Sequence, residues 1–214
     1  MEVDLQKLFD DASAAAGRGE HAEAARLYEA CLANAPTGHP PISGEVLRSY
    51  YRSAAFNLAQ SLLRIGNFVR ALEVVELGMH SGPTAIGRAI ALAAKGEALC
   101  GLGRIGEGKA AFDEAAASHP MIGPMNAADS MSRIASNELL SVARRWSESL
   151  MRSQRLDKRR MADVNTTLAR VARRQGNINA ALQLAATALT LDPSNHDAQL
   201  EQKAMLAWRM TRPR

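Results

Sequence analysis

The chain has 214 residues, of which 47% are apolar and only 4% are aromatic, and it carries a formal net charge of +4. It contains no run of about 18 apolar residues, which argues against a transmembrane helix. The opening residues MEVDLQKLFDD lack the basic and then apolar order of a secretory signal peptide, and the cysteines Cys31 and Cys100 fit a reducing compartment. We therefore expect a cytoplasmic protein that does not insert into a membrane.

The charge is unevenly distributed along the chain. Residues 1–140 contain 12 Lys/Arg and 16 Asp/Glu, a net charge of −4, whereas residues 141–214 contain 14 and 6, a net charge of +8. The first part of the chain is thus mildly acidic and the last part is distinctly basic.

A spaced pair of residues recurs four times in the chain. A glycine is followed 17 residues later by a proline at positions 19 and 36, 66 and 83, 103 and 120, and 176 and 193. A small residue stands seven positions before each glycine, and another stands five positions after it. This spacing predicts helix–turn–helix units whose two helices approach closely where small residues face each other. We expect Ala59, Gly96 and Ala169 to lie at such contacts.

The predicted units follow one another from the first residues to the last. We place repeats at about residues 4–36, 50–83, 88–120 and 160–193, and a degenerate repeat at 123–156 that rests on spacing alone. The extra length after the first repeat falls on residues 36–46, which are rich in proline and glycine and are predicted to form a loop. A single long helix is the alternative for the degenerate repeat. Residues 195–210 are predicted to form a capping helix with Leu200, Leu206 and Trp208 on its buried side.

The units resemble the tetratricopeptide repeat. Two segments carry the clearest similarity, SAAFNLAQSLLRIGNFVRALEVVELGM at residues 53–79 and LTLDPSN at residues 189–195. The resemblance implies an all-α fold, a right-handed superhelical solenoid of helix–turn–helix repeats with a C-terminal capping helix. It also implies one continuous domain over residues 1–214 and a role as a scaffold for protein–protein interaction.

No set of residues in the sequence has the spacing of a catalytic, metal-binding or cofactor-binding site. The five histidines fall at predicted turns or helix ends, and no two of them have the spacing of metal ligands. The run GLGRIGEG at residues 101–108 is similar to a phosphate-binding loop, but it follows a helix rather than a strand. We therefore expect a protein that is not an enzyme and that uses no cofactor or metal.

The candidate binding residues follow from the resemblance. In tetratricopeptide arrays the first helix of each repeat lines a concave groove. Carried over by repeat phase, the expected partner-binding residues are Phe56, Asn57, Gln60, Arg64, Glu97, Thr166, Arg170, Arg173 and Arg174.

The basic run at residues 144–174 has three interpretations. It can be a solvated face, a surface for an acidic segment of a partner protein, or a nucleic-acid surface. The last is the least favoured, because the run has no interleaved aromatic residues on which bases could stack.

The predicted function is that of a non-enzymatic interaction module or adaptor, which binds a peptide or helix of a partner protein in its groove. An acidic segment of the partner is one form that this peptide can take. We expect neither a nucleic acid nor a small-molecule substrate as its partner. The alternatives are a regulatory receptor for a short signalling peptide, an accessory subunit of an enzyme complex and, least favoured, an RNA-binding helical repeat.

Overall fold

The computed structural model of the chain describes residues 4–34, 45–153 and 155–211. Within these ranges the chain forms α-helices and no β-strand, which confirms the predicted all-α helical-repeat fold. The helices are α1 Leu5–Gly17, α2 His21–Ala33, α3 Glu45–Arg64, α4 Phe68–His80, α5 Ala85–Gly101, α6 Ile105–Ser118, α7 Ile122–Arg133, α8 Asn137–Arg152, α9 Lys158–Arg174, α10 Ile178–Leu191 and α11 His196–Thr211. None of them is long and apolar enough to span a membrane.

Four of the turns between paired helices have the same backbone geometry. Gly19, Gly66, Gly103 and Gly176 all adopt a positive φ, between 77° and 81°. In the last of these turns the Gly176 N–H donates to Arg173 O at 3.0 Å, and the Asn177 N–H donates to Ala172 O at 2.9 Å. The same two bonds recur at the other three glycines and form the Schellman pattern that ends a helix. The recurring glycine of the sequence is therefore required by a left-handed residue in each turn.

The degenerate repeat ends its first helix in a different way. Ile134, the residue after α7, is extended, with φ −89° and ψ 138°. The hydroxyl of Ser136 then accepts a hydrogen bond from the Leu139 N–H and caps α8. This turn needs no left-handed residue, which explains why the repeat lacks the glycine. The alternative of one long helix is wrong, because the chain leaves the helical conformation between Arg133 and Asn137.

The predicted loop at residues 36–46 lies largely outside the described residues. Its last two residues, Glu45 and Val46, belong to the backbone of α3, which begins before the predicted start of the repeat.

Small residues allow the helices of a pair to approach closely, as the spacing predicts. In the pair of α5 and α6, a methyl group added to Gly96 would lie 2.6 Å from Phe112 Cε1 and 2.9 Å from Gly108 O. Ala59 and Ala169 are fully buried. Gly96 on α5 and Gly108 on α6 therefore occupy positions where the two helices leave no room for a side chain.

The helices form two compact units, Met1–His119 and Pro120–Arg214, which we call unit 1 and unit 2. The largest fully buried side chains of unit 1 include Tyr28, Leu58 and Phe112, and those of unit 2 include Met131, Leu139, Val164, Val171 and Met205. A single continuous domain over the whole chain stays a prediction.

Helix α11 packs through a face that the sequence did not indicate. Ala198, Glu201 and Met205 are buried, and their i, i+3, i+7 spacing places them on one stripe of the helix. Leu200 and Leu206 are exposed and Trp208 is 39% exposed, so the predicted buried side of this helix is wrong. The prediction selected the largest apolar residues, whereas helical phase and a buried ion pair at Glu201 decide the orientation.

Candidate partner-binding surfaces

In unit 1, the predicted binding residues of α3 are divided between its core and its surface. Phe56 is a packing residue, since only 9% of it is exposed and a methyl group added to Gly78 would lie 2.5 Å from Phe56 Cε1. Asn57, Gln60 and Arg64 are partly exposed and follow one another at i, i+3 and i+7. This spacing places the three polar side chains on one face of α3. We call these three residues the α3 stripe.

One member of the α3 stripe is tied to the neighbouring helices. Burial raises the pKa of Tyr28, while hydrogen bonds between its hydroxyl and the side chains of Ser13 and Asn57 act against this shift. The Tyr28 and Ser13 hydroxyl oxygens are 2.9 Å apart.

Gln60 makes no hydrogen bond with any of the described residues, so its amide offers two donors and an acceptor to solvent or to a partner.

Glu97 lies inside unit 1 rather than on its surface. The residue is 5% exposed on α5, three positions before Cys100. Burial raises the pKa of the Cys100 thiol to about 11, and the negative charge of Glu97 adds to the shift. Cys100 is therefore an inert packing thiol at neutral pH.

In unit 2, Thr166 is also turned away from the surface. It is 3% exposed, and its hydroxyl donates to the carbonyl oxygen of Ala162 in the same helix at 2.9 Å.

Arg170 lies at the centre of a buried ion network. Its side chain is 5% exposed and contacts carboxylates from two other helices. Nε donates to Glu201 Oε1 at 2.9 Å, Nη1 to Asp129 Oδ1 at 2.8 Å and Nη2 to Asp197 Oδ2 at 3.1 Å. Because Asp129 is on α7 and the other two carboxylates are on α11, the guanidinium joins three alternate helices of unit 2, α7, α9 and α11. We call these four residues together with Arg173 the Arg170 network.

The two neighbouring arginines also bond within the protein. Arg173 Nε donates to Glu201 Oε2 at 2.6 Å, and Arg174 Nη2 donates to the backbone oxygen of Arg133 at 2.6 Å. Burial acts to raise the pKa of Glu201, but the hydrogen bond from Arg173 and the charge of Arg170 outweigh it and lower that pKa. The carboxylate therefore stays ionised inside the unit. The structure brings Arg170 and Arg173 together on one carboxylate of the protein itself.

The carboxylates of the Arg170 network were missed by the sequence reasoning. Asp197 and Glu201 are four residues apart on α11 and therefore share a face, as do Arg170 and Arg174 on α9. The positive face of α9 and the negative face of α11 were the signal that could have found them.

The remaining part of the basic run has a different environment. Residues 144–160 contain seven Lys/Arg and two Asp/Glu, a net charge of +5. Both acidic residues are already paired, Glu148 with Arg144 at 2.8 Å and Asp157 with Arg160 at 2.8 Å. Four further cations are exposed and make no hydrogen bond or ion pair with any described residue. They are Arg145, Arg152, Arg155 and Lys158.

A cleft of about 220 Å³ lies beside these cations, between the start of α7 and the C-terminal half of α8. Its walls include Met121, Pro124, Trp146, Leu150 and Arg155. We call it the Trp146 cleft. A second groove of about 250 Å³ lies between α8, α9 and α10 and is lined largely by apolar side chains, among them those at positions 168, 172 and 184. In the described part of the chain, no group of three His, Cys, Asp or Glu residues is placed to hold a metal ion.

The helix pairs and their four identical turns define a helical-repeat protein. Residues 166–202 match the model of the tetratricopeptide repeat family. A thermophilic tetratricopeptide-repeat protein from Thermus thermophilus is similar in structure, with a TM-score of 0.64 at 17% identity, over 95% of this chain and 99% of that chain. The match and the shared fold confirm the resemblance to the tetratricopeptide repeat family. Repeats of this family generally mediate protein–protein interaction.

A further solved structure, a tetratricopeptide-repeat protein from Bacteroides fragilis, has a TM-score of 0.41 at 14% identity, over 96% of this chain and 99% of that chain. No curated protein matches the chain.

Proposed function

We propose that the chain is a non-enzymatic protein-interaction module that holds a peptide or helix of a partner protein against the first helices of its repeats. The partly exposed amide of Gln60 is the observation that carries this proposal in unit 1. It lies in the α3 stripe between Asn57 and Arg64 and has no hydrogen-bond partner among the described residues. A side-chain amide can donate to and accept from one peptide group at once, which suits it to an extended or helical backbone.

The Arg170 network bears on which arginines take part. A guanidinium with three carboxylates within 3.1 Å has its charge compensated inside the protein. Its availability to an acidic partner would require α11 to move. We therefore propose contact through the α3 stripe, and a role for Arg170 in holding the first helices of unit 2 in register.

A photo-crosslinking amino acid at position 60 tests this function in extracts from the native source. The matched control carries the same amino acid at position 113, which is Asp113 on α6, an exposed position of the same unit. We expect a discrete protein adduct from position 60 and none from position 113. When the photo-crosslinking amino acid replaces Ser53 instead, position 60 is free to be changed, and the Gln60→Ala substitution should then weaken the adduct. Equal labelling from both positions, or none from either, would overturn the proposal.

A further inference from the structure

We propose that the Trp146 cleft and the cations beside it bind an acidic protein segment that carries one aromatic or aliphatic anchor side chain. The inference rests on the proposed function as an interaction module. It adds a contact surface in unit 2 and states the chemistry of its partner.

The size of the Trp146 cleft favours a single side chain as its occupant. Small-molecule sites usually measure roughly 300–1,000 Å³, whereas this cleft measures about 220 Å³. Its lining is mainly apolar and includes Met121, Pro124 and Leu150, of which Leu150 is 7% exposed. Apolar walls around a partly buried indole provide a pocket of the kind that interface anchors fill.

The helical spacing of α8 places two arginines beside the Trp146 cleft. Ser149 lines the cleft, and Arg145 and Arg152 stand at i−4 and i+3 from it. Residues at these spacings are neighbours on a helix surface, so both arginines flank the opening. Arg155 lines the cleft itself.

These cations differ from four others of the basic run in having no carboxylate partner among the described residues. Arg170 and Arg173 bond to carboxylates of α7 and α11, and the two acidic residues of the segment 144–160 are held by Arg144 and Arg160. Charge complementarity therefore requires negative charge from outside the chain. Guanidinium groups pair bidentately with carboxylates, which suits Asp and Glu residues on either side of an apolar anchor.

The indole of Trp146 supplies a polar contact at the same place. Its N–H makes no hydrogen bond with any described residue, and the side chain is partly exposed. An anchor that enters the cleft can pack against the ring while a backbone or side-chain oxygen accepts from the indole nitrogen. The ring is also a fluorescent reporter of binding once Trp208 is replaced by phenylalanine.

The test measures the binding of a fluorescein-labelled peptide to the full chain by fluorescence anisotropy. In this probe one phenylalanine lies between two runs of glutamates. Two comparison probes carry serine in place of the phenylalanine or glutamine in place of the glutamates. A labelled single-stranded oligouridine tests the nucleic-acid alternative.

Two double variants of equal charge provide the matched comparison. Arg145→Gln/Arg152→Gln removes cations without partners, and Arg144→Gln/Arg160→Gln removes cations already paired with a carboxylate in the same segment. We expect the first pair to weaken probe binding about tenfold and the second about twofold or less, since only the first removes cations free to contact the probe. Trp146→Ala should abolish saturable binding, and Trp146→Phe should restore most of it. Circular dichroism of every variant checks that the helices are retained.

Several outcomes would overturn the inference. They are no saturable binding of the acidic probe, equal weakening by both double variants, equal binding of the serine probe, or tighter binding of oligouridine with the same arginine dependence. An adduct from position 60 combined with any of these outcomes would leave the proposed function standing and remove this surface alone.

Discussion

Arg170 and Glu201 are joined inside unit 2 by a hydrogen bond of 2.9 Å from Nε to Oε1, with side chains only 5% and 9% exposed. The pair connects α9 to α11, and its charges are balanced by further members of the Arg170 network. A buried pair of this kind contributes little over an apolar pair, but it is costly to break, because the remaining charge is left without a partner.

Replacing Arg170 should therefore destabilise the protein strongly. We expect Arg170→Leu to lower the free energy of unfolding by about 3–5 kcal/mol, because the carboxylates of Asp129, Asp197 and Glu201 then lose the cation that they share. Arg173 stays on Glu201, but it does not bridge the three carboxylates. Urea unfolding followed by circular dichroism measures the loss. The control is Arg144→Leu, which removes an exposed partner of Glu148 and should cost less than about 1 kcal/mol. Similar losses for both variants would contradict a structural role for the network.

The close approach of α5 and α6 gives a second prediction. A methyl group at position 108 would meet Cys100 Sγ and lie 2.8 Å from Gly96 O, so Gly108→Ala should cost about 1–3 kcal/mol. Gly106 is two residues away in the same helix and has no atom within 4 Å of the corresponding position. Gly106→Ala should stabilise the helix by about 0.5–1 kcal/mol through propensity alone. Thermal unfolding of the two variants should therefore shift in opposite directions, and a shift in the same direction would show that the helices are farther apart.

The orientation of α11 predicts which of its apolar residues matter. Met205 is fully buried, so Met205→Ala should lower the free energy of unfolding by about 2–5 kcal/mol. Leu206 is 47% exposed, and Leu206→Ala should change the free energy of unfolding by less than about 0.5 kcal/mol. Chemical denaturation distinguishes the two. A larger loss at Leu206 than at Met205 would restore the orientation expected from the sequence.

The carboxyl group of Asp163 gives a prediction for pH. Partial loss of hydration, followed by the negative charge of Asp129, raises the pKa of Asp163 to about 6, despite a hydrogen bond from Asn195. An acid with a raised pKa in the folded state binds its proton more tightly there than in the unfolded chain. Its contribution to stability is therefore fully present below the unfolded pKa of about 3.9 and is lost as the pH rises through 6.

The measurement is the difference in unfolding free energy between the native chain and Asp163→Asn at several pH values. We expect the native chain to lose stability relative to the variant as the pH rises from about 4 to about 7, by an amount that solvent screening of this exposed residue keeps small. Asp113→Asn, at an exposed position of unit 1, is the control. A difference that stays constant with pH would contradict the raised pKa.

The turns and the helix pairs could be predicted from the sequence because they depend on local chemistry. A left-handed residue is needed at Gly19, Gly66, Gly103 and Gly176, and glycine is the residue that adopts this conformation without strain. The small residues at fixed spacings from these glycines likewise indicate where the two helices of a pair approach closely.

The buried position of Arg170 and its ion-pair partners could not be predicted in the same way. Its partners Asp197, Glu201 and Asp129 are 27, 31 and 41 residues away in the chain, so the pairing depends on how three helices pack. Repeat phase places the arginine on the correct helix, but it does not show which carboxylates the neighbouring helices present. Counting charges along the chain therefore combined two groups of arginines whose surroundings differ.

The separation of these two groups affects how unit 2 meets other molecules during diffusion. The sequence pI of about 9.4 counts Arg170 and Arg173 equally with Arg145 and Arg152, although the first two are matched by carboxylates at short range. The exposed cations of α8 and of the segment that leads into α9 therefore contribute more to the electric field in the solvent than Arg170 and Arg173 do. A negatively charged molecule is drawn toward these cations before any contact forms, and added salt slows that encounter by shortening the reach of the field.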